Sequence, residues 1–180
     1  MRYPDDVPVL ETERLLLRAP SREDWPAYRA LMTSPRGEGL GRPHTESRAF
    51  RDFALEIGHW VHFGDGPWKV CRKDTGESVG LVGPWHPVGW PENEIGWMTW
   101  KGAEGRGYAF EAAAAARAYA YGTLGWDTAV SYIGPDNARS RKLAERLGAV
   151  IDPDATELDP GTLTHRHPSP EALGIRESAA

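Results

Sequence analysis

One segment, Glu94–Ala116 (EIGWMTWKGAEGRGYAFEAAAAA), constrains the fold more than any other. A strand pattern ends, a short loop carrying glycines turns, and an alanine-dense helix begins. The run Ala112–Ala116 has so little side-chain volume that the helix can lie close against a sheet. Along this helix Phe110, Ala113, Ala114, Arg117, Tyr121 and Leu124 share one stripe, which predicts a core-facing surface. Gly105 and Gly107 permit close backbone approach, and the first turn of a helix presents unpaired N–H groups to an anion. The segment is a candidate pyrophosphate cradle; the alternative is a tight turn into the helix and nothing more. Two other phosphate motifs are excluded. A Rossmann fingerprint needs glycine at position 110, where Phe110 stands, and an acidic residue roughly 20 positions on. A P-loop needs a Gly-Lys-Ser/Thr run, which the chain lacks.

The surrounding pattern predicts a mixed α/β fold in the order β-α-α-β-β-β-α-β-α-β. Glu11–Arg18 reads as a strand. Ser21, with Asp24 in the capping-box position, opens a helix through Met32, and Pro35 with the glycines between Gly37 and Gly41 breaks the chain. Phe50, Phe53, Ile57 and Trp60 at helical spacing predict a helix over Glu46–His62. The period then changes from about 3.6 to 2, and Trp68–Arg72, Val79–Trp85 and Glu94–Trp100 predict an antiparallel meander. Helix Gly107–Leu124, strand Thr128–Ile133, helix Asn137–Leu147 ending at Gly148, and a weak strand Thr162–Arg166 follow. The crossover should be parallel and right-handed. The expectation is a central mixed sheet of about six to seven strands flanked by about four helices.

With 180 residues and 40% hydrophobic content, the chain fits a single domain over 1–180, with an ordered core at about 10–168. A net charge of −5 disfavours nucleic acid and other polyanions as partners. The single cysteine, Cys71, forms no internal disulfide and reads as a small buried residue; with no zinc-ligand spacing, no metal is expected. No apolar leader opens the sequence and no apolar run nears the roughly 20 residues of a membrane span, so a cytoplasmic protein without membrane contact is expected.

A second informative segment is Asp127–Ala149 (DTAVSYIGPDNARSRKLAERLGA), a strand, a Pro-Asp-Asn turn and a helix. Asn137 or Asp136 can cap this helix and Ser140 lies in its first turn, so capping is the plain role of Asn137 and Ser140. Together GRGYAFEA and SYIGPDNARSRKLAERLGA resemble the GNAT superfamily of acetyl-CoA-dependent N-acetyltransferases. More narrowly they are similar to the branch containing ribosomal-protein N-terminal acetyltransferases. LETERLLLRAPSREDWPAYRALM, EIGW and THRHP extend the resemblance over Leu10–Pro168. The superfamily pattern Gln/Arg-x-x-Gly-x-Gly/Ala reads here Glu104-Gly105-Arg106-Gly107-Tyr108-Ala109, with glutamate in place of the basic or amide residue. Phe110 stands where the branch often has threonine, which removes a hydroxyl contact to phosphate.

The resemblance implies a GNAT fold that moves acetyl from acetyl-CoA to a primary amine, on a protein N-terminus or a small molecule. Attack is direct, through a ternary complex, since no cysteine is placed to carry the acetyl group. It implies that the N–H groups of Gly105, Arg106, Gly107, Tyr108 and Ala109 face the pyrophosphate. The strand ending Met98, Thr99, Trp100 should hold the pantetheine like an added strand, with the N–H of Met98 or Thr99 on the thioester carbonyl. Asn137 matches a pantetheine contact and Ser140 a position close to the sulfur; Arg139, Arg141 and Lys142 either reach the 3′-phosphate or form a solvated basic face. Glu94 is the candidate base, with an ordinary edge carboxylate as its alternative. Ser140 is the candidate acid and Tyr132 the fallback, unless strand alternation buries it. His44, His59, His62 and His86 lie toward the acceptor side as further bases or as packing residues. A non-catalytic acetyl-CoA-binding module is the alternative function, and monomer and homodimer both stay open. Trp97 and Trp100 have opposite strand parity, so at most one lines the cleft.

Overall fold

The computed structural model describes residues 2–40 and 45–175. Its strands are β1 (Leu10–Glu11), β2 (Leu15–Arg18), β3 (Trp68–Arg72), β4 (Ser78–Trp85), β5 (Glu94–Thr99), β6 (Val130–Ile133), β7 (Val150–Ile151) and β8 (Leu163–Arg166). Its α-helices are α1 (Trp25–Met32), α2 (Glu46–Phe63), α3 (Tyr108–Gly122) and α4 (Ala138–Arg146), with 3-10 turns at Arg22–Asp24 and Pro35–Leu40. The strands form one sheet in the order β1-β2-β3-β4-β5-β6-β8-β7, antiparallel throughout except at β5–β6.

The predicted mixed α/β class, the antiparallel meander and the parallel pairing across the crossover are present. The sheet has eight strands rather than six to seven, and the additions, β1 and β7, are two-residue edges. The predicted strand Glu11–Arg18 is divided because Thr12 closes a turn: its N–H donates to the Leu15 carbonyl (3.0 Å) and its Oγ1 accepts the Leu15 N–H (3.1 Å). Ser21 and Asp24 form the expected capping box, with the Ser21 N–H on the Asp24 carboxylate at 2.9 Å, but the first turn is 3-10 and α1 proper starts at Trp25.

Two layers of helix cover the sheet. On one face Tyr28, Leu31 and Met32 of α1 and Ala49 and Phe53 of α2 pack with Leu81 and Trp100. On the other, the small residues of α3 let its backbone approach, so that Ala112, Ala113, Ala116, Ala120 and Tyr121 bury with Val70, Val82 and Ile95. The predicted stripe is displaced by part of a turn: Ala113, Arg117 and Tyr121 are buried, whereas Phe110 and Ala114 lie at its margin. Phe50, assigned to the buried face of α2, is largely exposed and meets Trp25 edge-on at 5.3 Å; the buried positions are Ala49, Phe53, Glu56, His59 and Trp60.

Arg117 is charged and buried, and its contacts explain why. Its Nη1 donates to the Leu147 carbonyl at the end of α4 (2.6 Å) and to His167 Nδ1 (3.0 Å). The His167 Nε2 then meets Ser131 Oγ (3.0 Å), whose hydroxyl donates to the Ile95 carbonyl (2.7 Å). Burial, and then Arg117, push His167 down to about 3, so this chain of bonds holds a neutral imidazole. It ties α3, α4 and the C-terminal segment to the one parallel strand pair. That pair is joined at a single register, Glu94↔Val130. Beyond it β5 and β6 share no paired position among the described residues, and the strands splay.

The alanine contacts are testable. Ala116→Leu inserts volume where α3 meets the sheet and should destabilise the fold by about 1–3 kcal/mol. The same change at exposed Ala118 should stay within about 0.5 kcal/mol. Urea midpoints of the two variants make the comparison.

Candidate active site

The splay leaves one edge of β5 open, and strand alternation decides which groups line it. The Trp100 N–H donates to the Val79 carbonyl on β4 at 2.9 Å. In a regular antiparallel ladder alternate residues point the same way, so the main-chain groups of Met98 also face β4, while those of Trp97 and Thr99 face the open edge. The Thr99 carbonyl, reached by Arg36 Nη2 at 3.2 Å, is on that side. Of the two expected carbonyl-polarising donors, Thr99 thus has its N–H on the open edge and Met98 does not; Trp97 is the residue that parity adds. Trp100 turns its ring into the α1–α2 core and gives its indole N–H to Ser78 Oγ (2.9 Å). Trp97 lies on the opposite face, as its parity requires.

The loop after β5 fits an anion. Gly102, Gly105 and Gly107 take positive φ, and Gly107 begins α3 without any side chain to cap it, so the first N–H groups of the helix stay available. A Cβ on Gly105 would meet nothing within 4 Å, which marks open space before the loop. The acidic residue of this first turn faces elsewhere: Glu111 accepts from Thr12 Oγ1 (2.6 Å), the Arg14 N–H (2.8 Å) and Arg14 Nε (2.7 Å). Arg14 also donates to the Arg106 carbonyl (3.1 Å). The guanidinium groups of Arg14 and Arg72 lie over the Tyr108 ring, 5.1 and 6.0 Å from its centroid, so Tyr108 presents its backbone rather than its ring to the loop. Glu104, the departure from the family pattern, accepts the Gly102 N–H (2.7 Å) and pairs with Arg36. Burial raises its carboxyl, but backbone N–H bonds together with Arg36 and Arg139 outweigh this and hold it below the usual range.

Across the splay, Asn137 caps α4 by accepting the Ser140 N–H at 3.2 Å. Ser140 Oγ accepts the Trp97 indole N–H (3.2 Å), which leaves the hydroxyl proton to be donated elsewhere. Arg139 and Lys142 are exposed, and Arg141 donates to the Pro135 carbonyl (3.2 Å).

Glu94 sits at the last paired residue of the splay. Its Oε2 accepts the Trp90 indole N–H (2.7 Å) and its Oε1 the Tyr132 N–H (3.2 Å). Burial pushes its carboxyl up to about 7, against the pull of both bonds. Tyr132 has a buried hydroxyl with no partner among the described residues, pushed up to about 12 by burial and by Glu92 and Glu94. It therefore keeps its proton at neutral pH. Glu56, which the sequence reading passed over, is buried on α2 with the Tyr28 hydroxyl donating to Oε1 (3.2 Å). Burial pushes it up to about 8 despite that bond, with Asp52 and Glu94 adding to the rise. Its sequence signal was a glutamate in phase with Ala49, Phe53 and Trp60.

The histidines separate. His59 is buried, with Nδ1 on the Asp65 carbonyl (2.8 Å) and Nε2 accepting the His86 N–H (3.1 Å), so both nitrogens are engaged within the protein. His86 Nε2 meets the Asp65 carboxylate at 3.0 Å. His62 is exposed, and His44 lies outside the described residues.

The open β5 edge thus has an uncapped helix start at its mouth and the half-buried Glu94 carboxylate at its apex. The chain belongs to the GNAT acetyltransferase family: residues 14–150 match the Acetyltransferase (GNAT) domain, and the protein is an acyltransferase. It is similar to the solved acetyltransferase from Agrobacterium tumefaciens, with 42% identity, TM-score 0.87, and 91% of this chain and 95% of that one covered. A structure from Bordetella pertussis described as a GNAT-family acetyltransferase is 26% identical, with TM-score 0.70 over 88% and 97% of the two chains. A RimL ribosomal alpha-N-protein acetyltransferase in complex with coenzyme A shares the fold at 14% identity, with TM-score 0.69 over 90% and 98%. No described helix is long and apolar enough to cross a membrane.

The Trp90 bond to Glu94 favours the ionised carboxyl. Removing it in Trp90→Phe should raise the Glu94 midpoint above its value near 7. Carbon-13 titration of a selectively labelled carboxyl reads the shift, and a midpoint at or below the wild-type value contradicts the assignment.

Proposed function

We propose that this chain acts as a single-domain N-acetyltransferase, moving the acetyl group of acetyl-CoA to a primary amine on a protein N-terminus or a small molecule. The observation that carries the reading is Glu94: a carboxyl ionising near neutrality, fixed at the apex of the open β5 edge. A base is most effective when its pKa lies near the working pH, because it is then both ionised and basic enough to take a proton. Acetyl-CoA supplies the thioester. The N–H groups from Gly105 to Ala109 hold its pyrophosphate, and the Trp97–Thr99 edge receives an extended arm as an added strand would be received. Asn137 sets the start of α4 beside that arm. Glu94 takes one proton from the acceptor ammonium, the amine nitrogen bonds to the acetyl carbon and the C–S bond breaks; the departing sulfur takes the Ser140 proton, and the second proton shed by the new amide nitrogen restores the Ser140 hydroxyl. Tyr132 stands as the second donor.

Direct attack is supported by the place of Cys71, buried on β3 two strands from the open edge. Trp85 and Trp90, edge-to-face at 6.2 Å beside Glu94, supply an aromatic wall that suits an acceptor with an apolar portion next to its amine.

Glu94→Gln should lower kcat/KM by at least about 10²-fold while CoA affinity stays at the wild-type value. In the wild type kcat/KM should fall as pH drops below about 7, because protonation removes the base. Gly107→Glu places a charged side chain at a position with φ 81° and should abolish CoA binding. CoA release across an amine panel separates this reading from a non-catalytic binding module, for which CoA binds tightly and no acceptor is turned over.

A further inference from the structure

Arg36 belongs to the 3-10 turn that follows α1, yet its guanidinium reaches the loop after β5. Nη2 donates to the Thr99 carbonyl at 3.2 Å and pairs with the Glu104 carboxylate. The first partner is the last residue of the open β5 edge. The second lies in the loop that leads into the uncapped start of α3, and its other oxygen is fixed by the Gly102 N–H at 2.7 Å. Arg36 therefore stands at the corner where the strand edge turns into the loop.

Glu104 makes this position necessary. It occupies the first place of the Gln/Arg-x-x-Gly-x-Gly/Ala pattern, where a cation or an amide is expected, and a lone carboxylate there repels a diphosphate. Arg36 on one side and Arg139 on the other reverse the local sign. The Arg36 Nε is buried and has no partner among the described residues, so Nη1 and Nη2 are the groups that can reach outward.

We propose that Arg36 is a cofactor-binding residue, supplying from the α1 side the phosphate-directed cation that position 104 lacks, and that its ligand is the diphosphate of the acyl-CoA donor. This rests on the acetyl-CoA reading above. Glu104 then serves to aim the guanidinium, and the turn Pro35–Leu40 is fastened to the cofactor loop when the donor is bound. Arginine suits the role because its planar fork can hold a carboxylate and a phosphate oxygen together.

Calorimetric titration with CoA, and with pantetheine as a probe lacking the diphosphate, tests this on the full chain. Arg36→Gln should weaken CoA about tenfold and leave pantetheine unchanged. The same loss should appear when Glu104 is already Gln. Arg36→Lys, which keeps the ion pair and serves where the glutamine variant does not fold, should also bind CoA more weakly than the wild type with pantetheine unaffected. If Arg36→Gln has no effect in the Glu104→Gln background, Arg36 merely neutralises Glu104 and the proposal is overturned. An equal loss for pantetheine overturns it as well. A wild type that binds no CoA refutes the acetyl-CoA reading itself, whereas normal wild-type binding with an indifferent Arg36 refutes this proposal alone.

Discussion

The site depends on a strand pair that is joined at one position and then let go. β5 and β6 meet at Glu94↔Val130, where a full parallel ladder would run several residues further. Side chains take over the closure. The Ser131 hydroxyl bonds the Ile95 carbonyl, and the Glu94 carboxylate accepts the Tyr132 N–H that a continuing ladder would have paired. Each bond is worth only about 0.5–1.5 kcal/mol, but an unpaired buried backbone group would cost more than that. The residue that clasps the apex is also the candidate base. The burial that makes the clasp useful is the burial that pushes its carboxyl toward neutrality, so structure and chemistry draw on one cause.

The second constraint is the height of α3 above the sheet. Alanines at 112, 113, 116 and 120 bring the helix close, and this fixes where its uncapped first turn opens. Orientation is set from the far edge of the sheet, where Thr12 and Arg14 grip Glu111 and Arg14 holds the Arg106 carbonyl. The N-terminal ETER run and the GRGYAFEA run, nearly a hundred residues apart, are thus two halves of one joint. The Glu111 carboxylate would weaken an anion site at the helix start if it were free; tied to Arg14, it stabilises the loop instead.

Much of this was legible in the chain. The period change at Trp68, the glycines at 105 and 107 and the Pro-Asp-Asn turn located the meander, the loop and α4 to within a few residues, because local chemistry dictates each of them. Glu94 was legible as a position, and the opposite faces of Trp97 and Trp100 followed from parity. The rest is non-local. Phe50 satisfied the helical spacing of α2, yet the packing direction of α2 against α1 left it outside. His59 looked like a possible base until the fold brought Asp65 and the His86 backbone to both its nitrogens. Arg36 and Glu104 are 68 positions apart in a chain that places them in contact, and no pattern along the sequence announces such a pair.

Two carboxyls, that of buried Glu56 and that of half-buried Glu94, bring these threads together. Glu56 is pushed up to about 8 and Glu94 to about 7, and each feels burial more than any other influence. Near neutrality Glu56 keeps its proton while Glu94 is losing its own, so the two together carry at most about one negative charge rather than two. Such a site receives one ammonium group without leaving a second charge unpaired in an apolar setting. The phenol of Tyr28 donates to Glu56, not to Glu94, and so the hydrogen bonds of Glu94 come from a tryptophan and a backbone N–H that hold it in place without competing for its proton. The asymmetry of the two environments, not the identity of the two residues, is what makes Glu94 rather than Glu56 the proposed proton acceptor.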